Sequence, residues 1–76
     1  MEINVYTTST CPSCTTLKRF LDDNDVKYNL FTIGDNISPD QFADATGGAR
    51  VVPITSIDNK IYTGFDIKEF KEILGL

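Results

Sequence analysis

The sequence contains no histidine and no tryptophan, and its only two cysteines are Cys11 and Cys14. Because an ordinary structural zinc site needs four ligands, one chain cannot build a metal site of that kind. No apolar run approaches the roughly 20 residues of a membrane-spanning helix. Residues 1–8 also lack the basic start and apolar stretch of a secretory signal. We therefore expect a cytoplasmic protein that does not enter a membrane.

Positive charge is scarce as well. Seven basic against eleven acidic residues leave a formal net charge of −4, and the basic residues are scattered from Lys18 to Lys71. Binding to phosphate backbones needs a concentrated basic surface, so we expect no nucleic-acid partner. A chain of 76 residues has room for one domain, residues 1–76, because small chains bury only a limited core. We expect it to act as a monomer.

Apolar spacing divides the chain into alternating strands and helices. Period-two patterns rich in β-formers predict strands over residues 2–7, 27–33, 52–57 and 60–64. Apolar spacings of three and four predict helices from Pro12 to near Asp23, within residues 37–48, and after Asp66. The order βαβαββα predicts an α/β fold with a four-stranded mixed sheet flanked by three helices. The first two strands should be parallel, because a helix connects them.

Local signals mark the ends of these elements. Ser38 and Gln41 form a capping box for the second helix, and Asp58-Asn59 predicts a tight hairpin turn. Asp66, with Glu69 three residues later, predicts the start of the last helix. That helix is expected to bury one apolar face, made of Ile67, Phe70, Ile73 and Leu74.

The segment Cys11-Pro12-Ser13-Cys14 lies where the first strand gives way to the first helix. With Cys11 at the N-cap and Pro12 in the first helical position, the N–H groups of Ser13 and Cys14 have no acceptor within the helix. A thiolate can accept them, and the positive helix end also favours the charged sulfur. Cys14 lies one turn further on the same side and should be more buried. We therefore expect Cys11 to attack a disulfide and Cys14 to resolve the intermediate.

Two other roles for the pair stay open at this point. A permanent disulfide closing so short a loop would remove little entropy from the unfolded chain, and the cytosol would keep the pair reduced. A zinc site would need ligands from outside the chain. A CxxC pair that opens a helix inside a βαβ pattern is typical of dithiol chemistry, which is the interpretation we favour.

Three segments resemble the glutaredoxin and NrdH-redoxin branch of the thioredoxin superfamily. Residues 6–14 are similar to the family's aromatic-led approach to its CxxC site, residues 50–53 to its Thr-Val-Pro loop, and residues 63–66 to its closing Gly-Gly and acidic cap. The resemblance extends through nearly the whole chain. It implies a thioredoxin-like fold and a thiol-disulfide oxidoreductase.

The resemblance also implies a set of site residues. The Val52-Pro53 peptide bond would be cis and face the cysteines, so that the Val52 backbone could pair with a substrate strand. Cys11 and Cys14 would be catalytic, Pro12 and Ser13 would support them, and no residue would bind a metal. Residues implied to contact substrate or glutathione are Arg50, Val52, Pro53, Phe65 and Asp66.

Three departures from the family pattern bear on the electron source. Thr8 occupies a position where the family usually has lysine, Val51 replaces a threonine, and Thr63 replaces the first paired glycine. The resemblance therefore leaves two reductants, glutathione and a thioredoxin-reductase-type flavoenzyme, and implies no bound cofactor. The favoured function is an electron donor to protein disulfides, with ribonucleotide reductase as a candidate client. The alternatives are a glutathione-dependent glutaredoxin, or a dimer that holds an iron-sulfur cluster or metal through Cys11.

Overall fold

The computed structural model describes residues 2–76. Within that range no helix is both long enough and apolar enough to cross a membrane. The elements are β1 (Ile3–Thr7), α1 (Pro12–Asp23), β2 (Asn29–Thr32), α2 (Pro39–Thr46), β3 (Ile54–Ile57), β4 (Lys60–Thr63) and α3 (Ile67–Leu74). The predicted order βαβαββα is confirmed.

All four strands are shorter than predicted, and β2 and β3 differ most at their N-terminal ends, where each begins two residues later. Residues before β2 form a turn in which Asp25 has a φ of 55° and the Val26 N–H donates to the Leu21 carbonyl at 2.9 Å. The chain before β3 bends at Val51 and Val52, and Pro53 has no N–H to donate to a neighbouring strand. The turn and the missing donor therefore set where these strands begin.

The four strands form one mixed sheet in the order β2-β1-β3-β4. β1 and β2 are parallel, whereas β3 is antiparallel to both β1 and β4. The β1 strand therefore lies inside the sheet, and its C-terminal end lies beside the start of β3. This arrangement is the thioredoxin-like fold, with three helices around a four-stranded sheet.

Alternating residues of β1 supply two separate apolar clusters, one on each face of the sheet. Tyr6 belongs to the cluster on the α2 side, where its ring stacks on Phe31 at 5.1 Å and meets Phe42 edge-on at 5.7 Å. Burial raises the pKa of Tyr6, and the charge of Glu2 raises it further. The other cluster joins the sheet to α1 and α3 through Ile3, Val5, Leu17, Leu21, Ile57 and Phe70.

The predicted helix signals form the expected bonds. The Ser38 hydroxyl accepts from the Gln41 N–H at 3.1 Å, and the Gln41 side chain accepts from the Ser38 N–H at 2.9 Å. Gly47 ends α2 with a left-handed φ of 71°, which a glycine adopts without steric cost. Asp66 caps α3 by accepting from the Lys68 N–H at 2.9 Å.

The predicted buried face of α3 is wrong at one residue. Phe70 is fully buried, and Ile73 and Leu74 pack partly against the same cluster, but Ile67 is 48% exposed. Ile67 is the first residue of α3 and lies outside the cluster around Phe70. Helical spacing therefore predicts the apolar face correctly but not where the core ends.

The free edge of β2 is covered by a side chain. The Asn36 amide group accepts from the Thr32 N–H at 2.7 Å and donates to the Leu30 carbonyl at 3.1 Å. These bonds resemble those of a neighbouring strand, so they satisfy backbone groups that would otherwise be available to another chain.

One polar group in the sheet suggests a test of the packing. Thr55 in β3 is fully buried, and its hydroxyl has no hydrogen-bond partner within residues 2–76. Replacing it with valine removes an unsatisfied polar group at almost constant volume. We expect Thr55→Val to raise the free energy of unfolding by about 1 kcal/mol in denaturant titrations of the oxidised protein.

Thr46→Val is the matched control, because the Thr46 hydroxyl donates to the Phe42 carbonyl at 2.7 Å and accepts from the Ala49 N–H at 3.2 Å. This variant should lose about 1 kcal/mol. Equal losses in the two variants would show that the Thr55 hydroxyl is satisfied in solution.

Candidate active site

The two cysteines form a disulfide at the N-terminus of α1. Cys11 is the N-cap residue, with an extended backbone at φ −104° and ψ 106°, and Pro12 is the first helical residue. The Cys14 N–H donates to Cys11 Sγ at 3.2 Å. The sulfur therefore occupies the place that an N-cap oxygen usually takes.

The two sulfur-bearing residues differ in exposure. Cys14 is 1% exposed, whereas Cys11 is half-buried. The predicted difference in burial is confirmed. An incoming group can therefore reach Cys11 more easily than Cys14.

The sequence on both sides of the cysteine pair contains no charged side chain. Residues 3–17 include no acidic or basic side chain, and the first turn of α1 has no carboxylate. No nearby acid on this helix turn opposes a negative sulfur at Cys11. The helix end and its free N–H groups therefore favour a negative sulfur at Cys11, with no carboxylate in the first turn of α1 to oppose them.

The Val52-Pro53 peptide bond is cis, as the resemblance implied. Ile54 pairs with Tyr6, so Pro53 lies beside the end of β1, from which the chain continues to Cys11. Pro53 is buried and Val52 half-buried, whereas Val51 is 53% exposed. The fold therefore brings this loop and the cysteines to the same end of the sheet.

A bond that the sequence did not predict ties this loop to the β4 end. The Gly64 N–H donates to the Pro53 carbonyl at 2.9 Å, and Gly64 has a φ of 76°. A positive φ favours glycine, so Gly64 itself was the available signal. Its bond partner could not be found from spacing along the chain.

Three further predicted site residues, Arg50, Phe65 and Asp66, each lie in a different environment. Arg50 is exposed in the loop before β3. The ring of Phe65 packs between Phe20 and Phe70, with centroid distances of 5.5 Å to each. Asp66 Oδ1 accepts from two N–H groups at the start of α3. Phe65 therefore contributes to the core, and the Asp66 carboxylate serves as a helix cap.

Neither of two cavities found within residues 2–76 is lined by Cys11 or Cys14. One of about 590 Å³ is lined by Glu2, Ile3, Lys27, Tyr28 and Asn29, at the opposite end of β1 from the cysteines. In that region burial raises the pKa of Tyr28, and the nearby charge and hydrogen bond of Asp22 raise it further. Near the disulfide, Ser9, Thr10, Pro12 and Ser13 are exposed, which suits a large partner better than a small enclosed ligand.

The family model described as Glutaredoxin matches residues 3–62. The chain belongs to the glutaredoxin family. It is a thiol-disulfide oxidoreductase with a CxxC cysteine pair.

Two curated relatives support this assignment. A glutaredoxin-like 8.6 kDa protein from the rubredoxin operon of Clostridium pasteurianum is 25% identical over 72 residues, which cover 95% of this chain and 96% of that protein. Glutaredoxin 1 of Rickettsia conorii is 33% identical over 66 residues, or 84% of this chain. The match spans 65% of the Rickettsia protein.

Solved structures share the fold over almost the entire chain. A thioredoxin-like protein, crystallised as a mutant, has a TM-score of 0.83 and 26% identity, covering 97% of this chain and 95% of that one. NrdH-redoxin from Escherichia coli has a TM-score of 0.78 and 20% identity, covering 96% and 95% of the two chains. The second comparison supports the fold alone.

The difference in exposure predicts an order of reaction. After reduction, we expect iodoacetamide at mildly acidic pH to label Cys11 at least about tenfold faster than Cys14, because Cys11 is accessible and accepts a backbone N–H. Timed quenching followed by peptide mass spectrometry measures both rates. Faster labelling of Cys14 would contradict this assignment.

Proposed function

We propose that this protein is a dithiol electron donor that reduces disulfides of other proteins. The observation that carries the proposal is the disulfide at the start of α1, with one accessible and one buried cysteine. The exposed residues that flank Cys11, which are Ser9, Thr10, Pro12 and Ser13, support a protein client. Ribonucleotide reductase is the candidate client, and the working form is a cytoplasmic monomer without a bound cofactor.

The reaction proceeds through two exchanges of sulfur bonds. The Cys11 thiolate attacks one sulfur of the client disulfide, forms a mixed disulfide and releases the first client thiolate. The Cys14 thiolate then attacks Cys11 Sγ and releases the second client thiolate. The client gains two electrons, and the protein is left with the Cys11–Cys14 disulfide described above.

The cysteine segment and the loop before β3 divide the supporting roles. Pro12 has no N–H, so it begins the helix without competing for the sulfur, and the Ser13 N–H is free to donate in the first turn. The Val52 backbone, next to buried Pro53 and exposed Val51, forms the rim on which an extended client segment docks by main-chain hydrogen bonds.

A flavoenzyme of the thioredoxin-reductase type is the proposed electron source. Glutathione carries two carboxylates, which need cations or free N–H groups when they leave water. Arg50 offers an exposed cation, but the partly buried Phe65 ring packs against the core and the Asp66 carboxylate already caps α3. Thr8 adds no charge. Glutathione is therefore expected to bind weakly.

The attacking and resolving roles can be tested with insulin as a disulfide substrate. Cys14→Ser should form a covalent adduct with insulin that a thiol reductant releases, because nothing resolves the mixed disulfide. Non-reducing gels and intact mass spectrometry detect the adduct. Cys11→Ser is the control and should form none. An adduct with Cys11→Ser but not with Cys14→Ser would reverse the two roles.

The electron source can be tested by supplying the oxidised protein with each reductant. We expect saturable reduction by a thioredoxin-reductase-type enzyme with NADPH, and slow, non-saturating reduction by glutathione. Arg50→Ala should change the glutathione rate less than about twofold, since one exposed cation contributes little. Lys60→Ala, at the opposite end of the sheet, is the charge-matched control. Fast, saturable turnover with glutathione that falls in Arg50→Ala alone would establish glutathione as the donor.

A further inference from the structure

We propose that Gly64 and Phe65 are positioning residues, which together hold the loop before β3 in a fixed position relative to the cysteine helix. The inference deepens the proposed function and rests on it, because it concerns how a protein client is presented to Cys11. It gives Phe65 a role that requires no contact with glutathione or with the client.

The loop before β3 lies beyond the end of both strand pairings of β3. The last pairs are Ile54 with Tyr6 of β1 and Ile54 with Thr63 of β4. Pro53 has no N–H with which to extend either pairing. The Gly64 N–H supplies the next bond, by donating to the Pro53 carbonyl at 2.9 Å. This bond therefore holds the loop at a point that the strand pairings do not reach.

Phe65 connects the same point to the cysteine helix. Its ring is partly buried and packs on Phe20 of α1 and on Phe70 of α3, with centroid distances of 5.5 Å to each. Because Phe70 is fully buried, it gives the Phe65 ring a fixed support. The helix α1 begins at Cys11. Gly64 and Phe65 together therefore join the loop before β3 to the helix that carries the reactive sulfur.

The backbone conformation at Gly64 makes these contacts depend on glycine. Its φ is 76°, a left-handed value that L side chains rarely adopt. A Cβ placed there would meet no heavy atom within 4 Å, so the cost of alanine comes from φ and not from crowding. A shift towards negative φ would redirect the chain between the Pro53 bond and the Phe65 ring. The two contacts could then not both keep their geometry.

The position of this loop matters for a protein disulfide but not for a small reagent. In the proposed function, an extended client segment bonds to the Val52 backbone while its disulfide meets Cys11 Sγ. These two contacts need a fixed separation, because small misplacements of reacting groups slow reactions severely. Iodoacetamide reaches Cys11 without docking on the loop. Loss of the Gly64 or Phe65 contact should therefore slow reaction with a protein more than alkylation.

The first test compares Gly64→Ala with Gly75→Ala. Gly75 is the matched control, since its φ is 73°, it has the same free space for a Cβ, and it lies at the far end of α3. Gly64→Ala should slow single-turnover reduction of insulin about tenfold but labelling of Cys11 by iodoacetamide less than about twofold. Gly75→Ala should change neither rate. Both variants should lower Tm similarly, by about 5 °C.

Two further comparisons test each contact separately. Gly64→Asn should restore most of the insulin rate, because asparagine tolerates a left-handed φ better than alanine does. Phe65→Leu should slow insulin reduction without slowing iodoacetamide labelling. Its control is Phe31→Leu, since Phe31 is a partly buried ring that stacks on Tyr6 at 5.1 Å in the other apolar cluster. That control should leave the insulin rate unchanged.

Amide hydrogen exchange tests the contacts without any client. The Gly64 N–H and the Asp58 N–H both bond outside the strand pairings, the second to the Glu2 carbonyl at 3.0 Å at the other end of the sheet. Phe65→Leu should speed exchange of the Gly64 N–H at least about fivefold relative to that of Asp58. Phe31→Leu should leave this ratio unchanged.

The outcomes separate this inference from the proposed function. Equal insulin rates in Gly64→Ala and Gly75→Ala, or equal exchange of the Gly64 N–H in Phe65→Leu and Phe31→Leu, would overturn the inference. Parallel losses of insulin and iodoacetamide reactivity would also overturn it, because the effect would then lie at Cys11 itself. If the wild-type protein does not reduce insulin, the proposed function fails, and the exchange ratio still decides whether Phe65 holds the loop.

Discussion

The hydrogen bond from the Cys14 N–H to Cys11 Sγ joins the start of a helix to a reactive sulfur. The first N–H groups of any helix lack partners within it, and here a sulfur atom supplies one of them. The same contact begins α1 and favours negative charge on Cys11 after reduction. Pro12 supports both effects, because it suits the first helical position and brings no competing N–H.

The hydrogen bond to Cys11 Sγ can support disulfide exchange only because the sheet fixes the positions of the residues around the cysteine segment. β1 lies between β2 and β3, so the chain leaves a buried strand immediately before the cysteine segment. The antiparallel β3 begins beside it and brings Pro53 to the same end. Apolar clusters on both faces of the sheet and the bond from Gly64 to Pro53 restrict movement of this end. Disulfide exchange then occurs on a surface that is preformed on the protein side.

The chemistry of the site depends on which of its groups already form hydrogen bonds or packing contacts within the protein. Asp66 is engaged in capping α3, and Phe65 is packed between two aromatic rings. Neither is therefore as available to a small anionic ligand as the family resemblance implied. Residues 3–17, which include the cysteine segment, carry no acidic or basic side chain. The backbone N–H groups at the start of α1 therefore favour thiolate chemistry at Cys11.

Interactions between residues close in the chain were predictable from the sequence. The capping box at Ser38, the turn at Asp58-Asn59, the cap at Asp66 and the place of Cys11 at the start of α1 each depend on a few consecutive residues. Periodicity also predicted the order of elements, and with it the mixed sheet, because a strand, helix and strand in succession favour a parallel pair.

The amino-acid sequence by itself therefore determined the elements, their caps and the cysteine pair. Tertiary structure decided that Ile67 lies beyond the core, that the partly buried Phe65 packs against it, and that Gly64 bonds to Pro53. It also decided that Asn36 covers the edge of β2. Each of these depends on which surfaces meet when the chain folds, and spacing along one element carries no information about the partner on another.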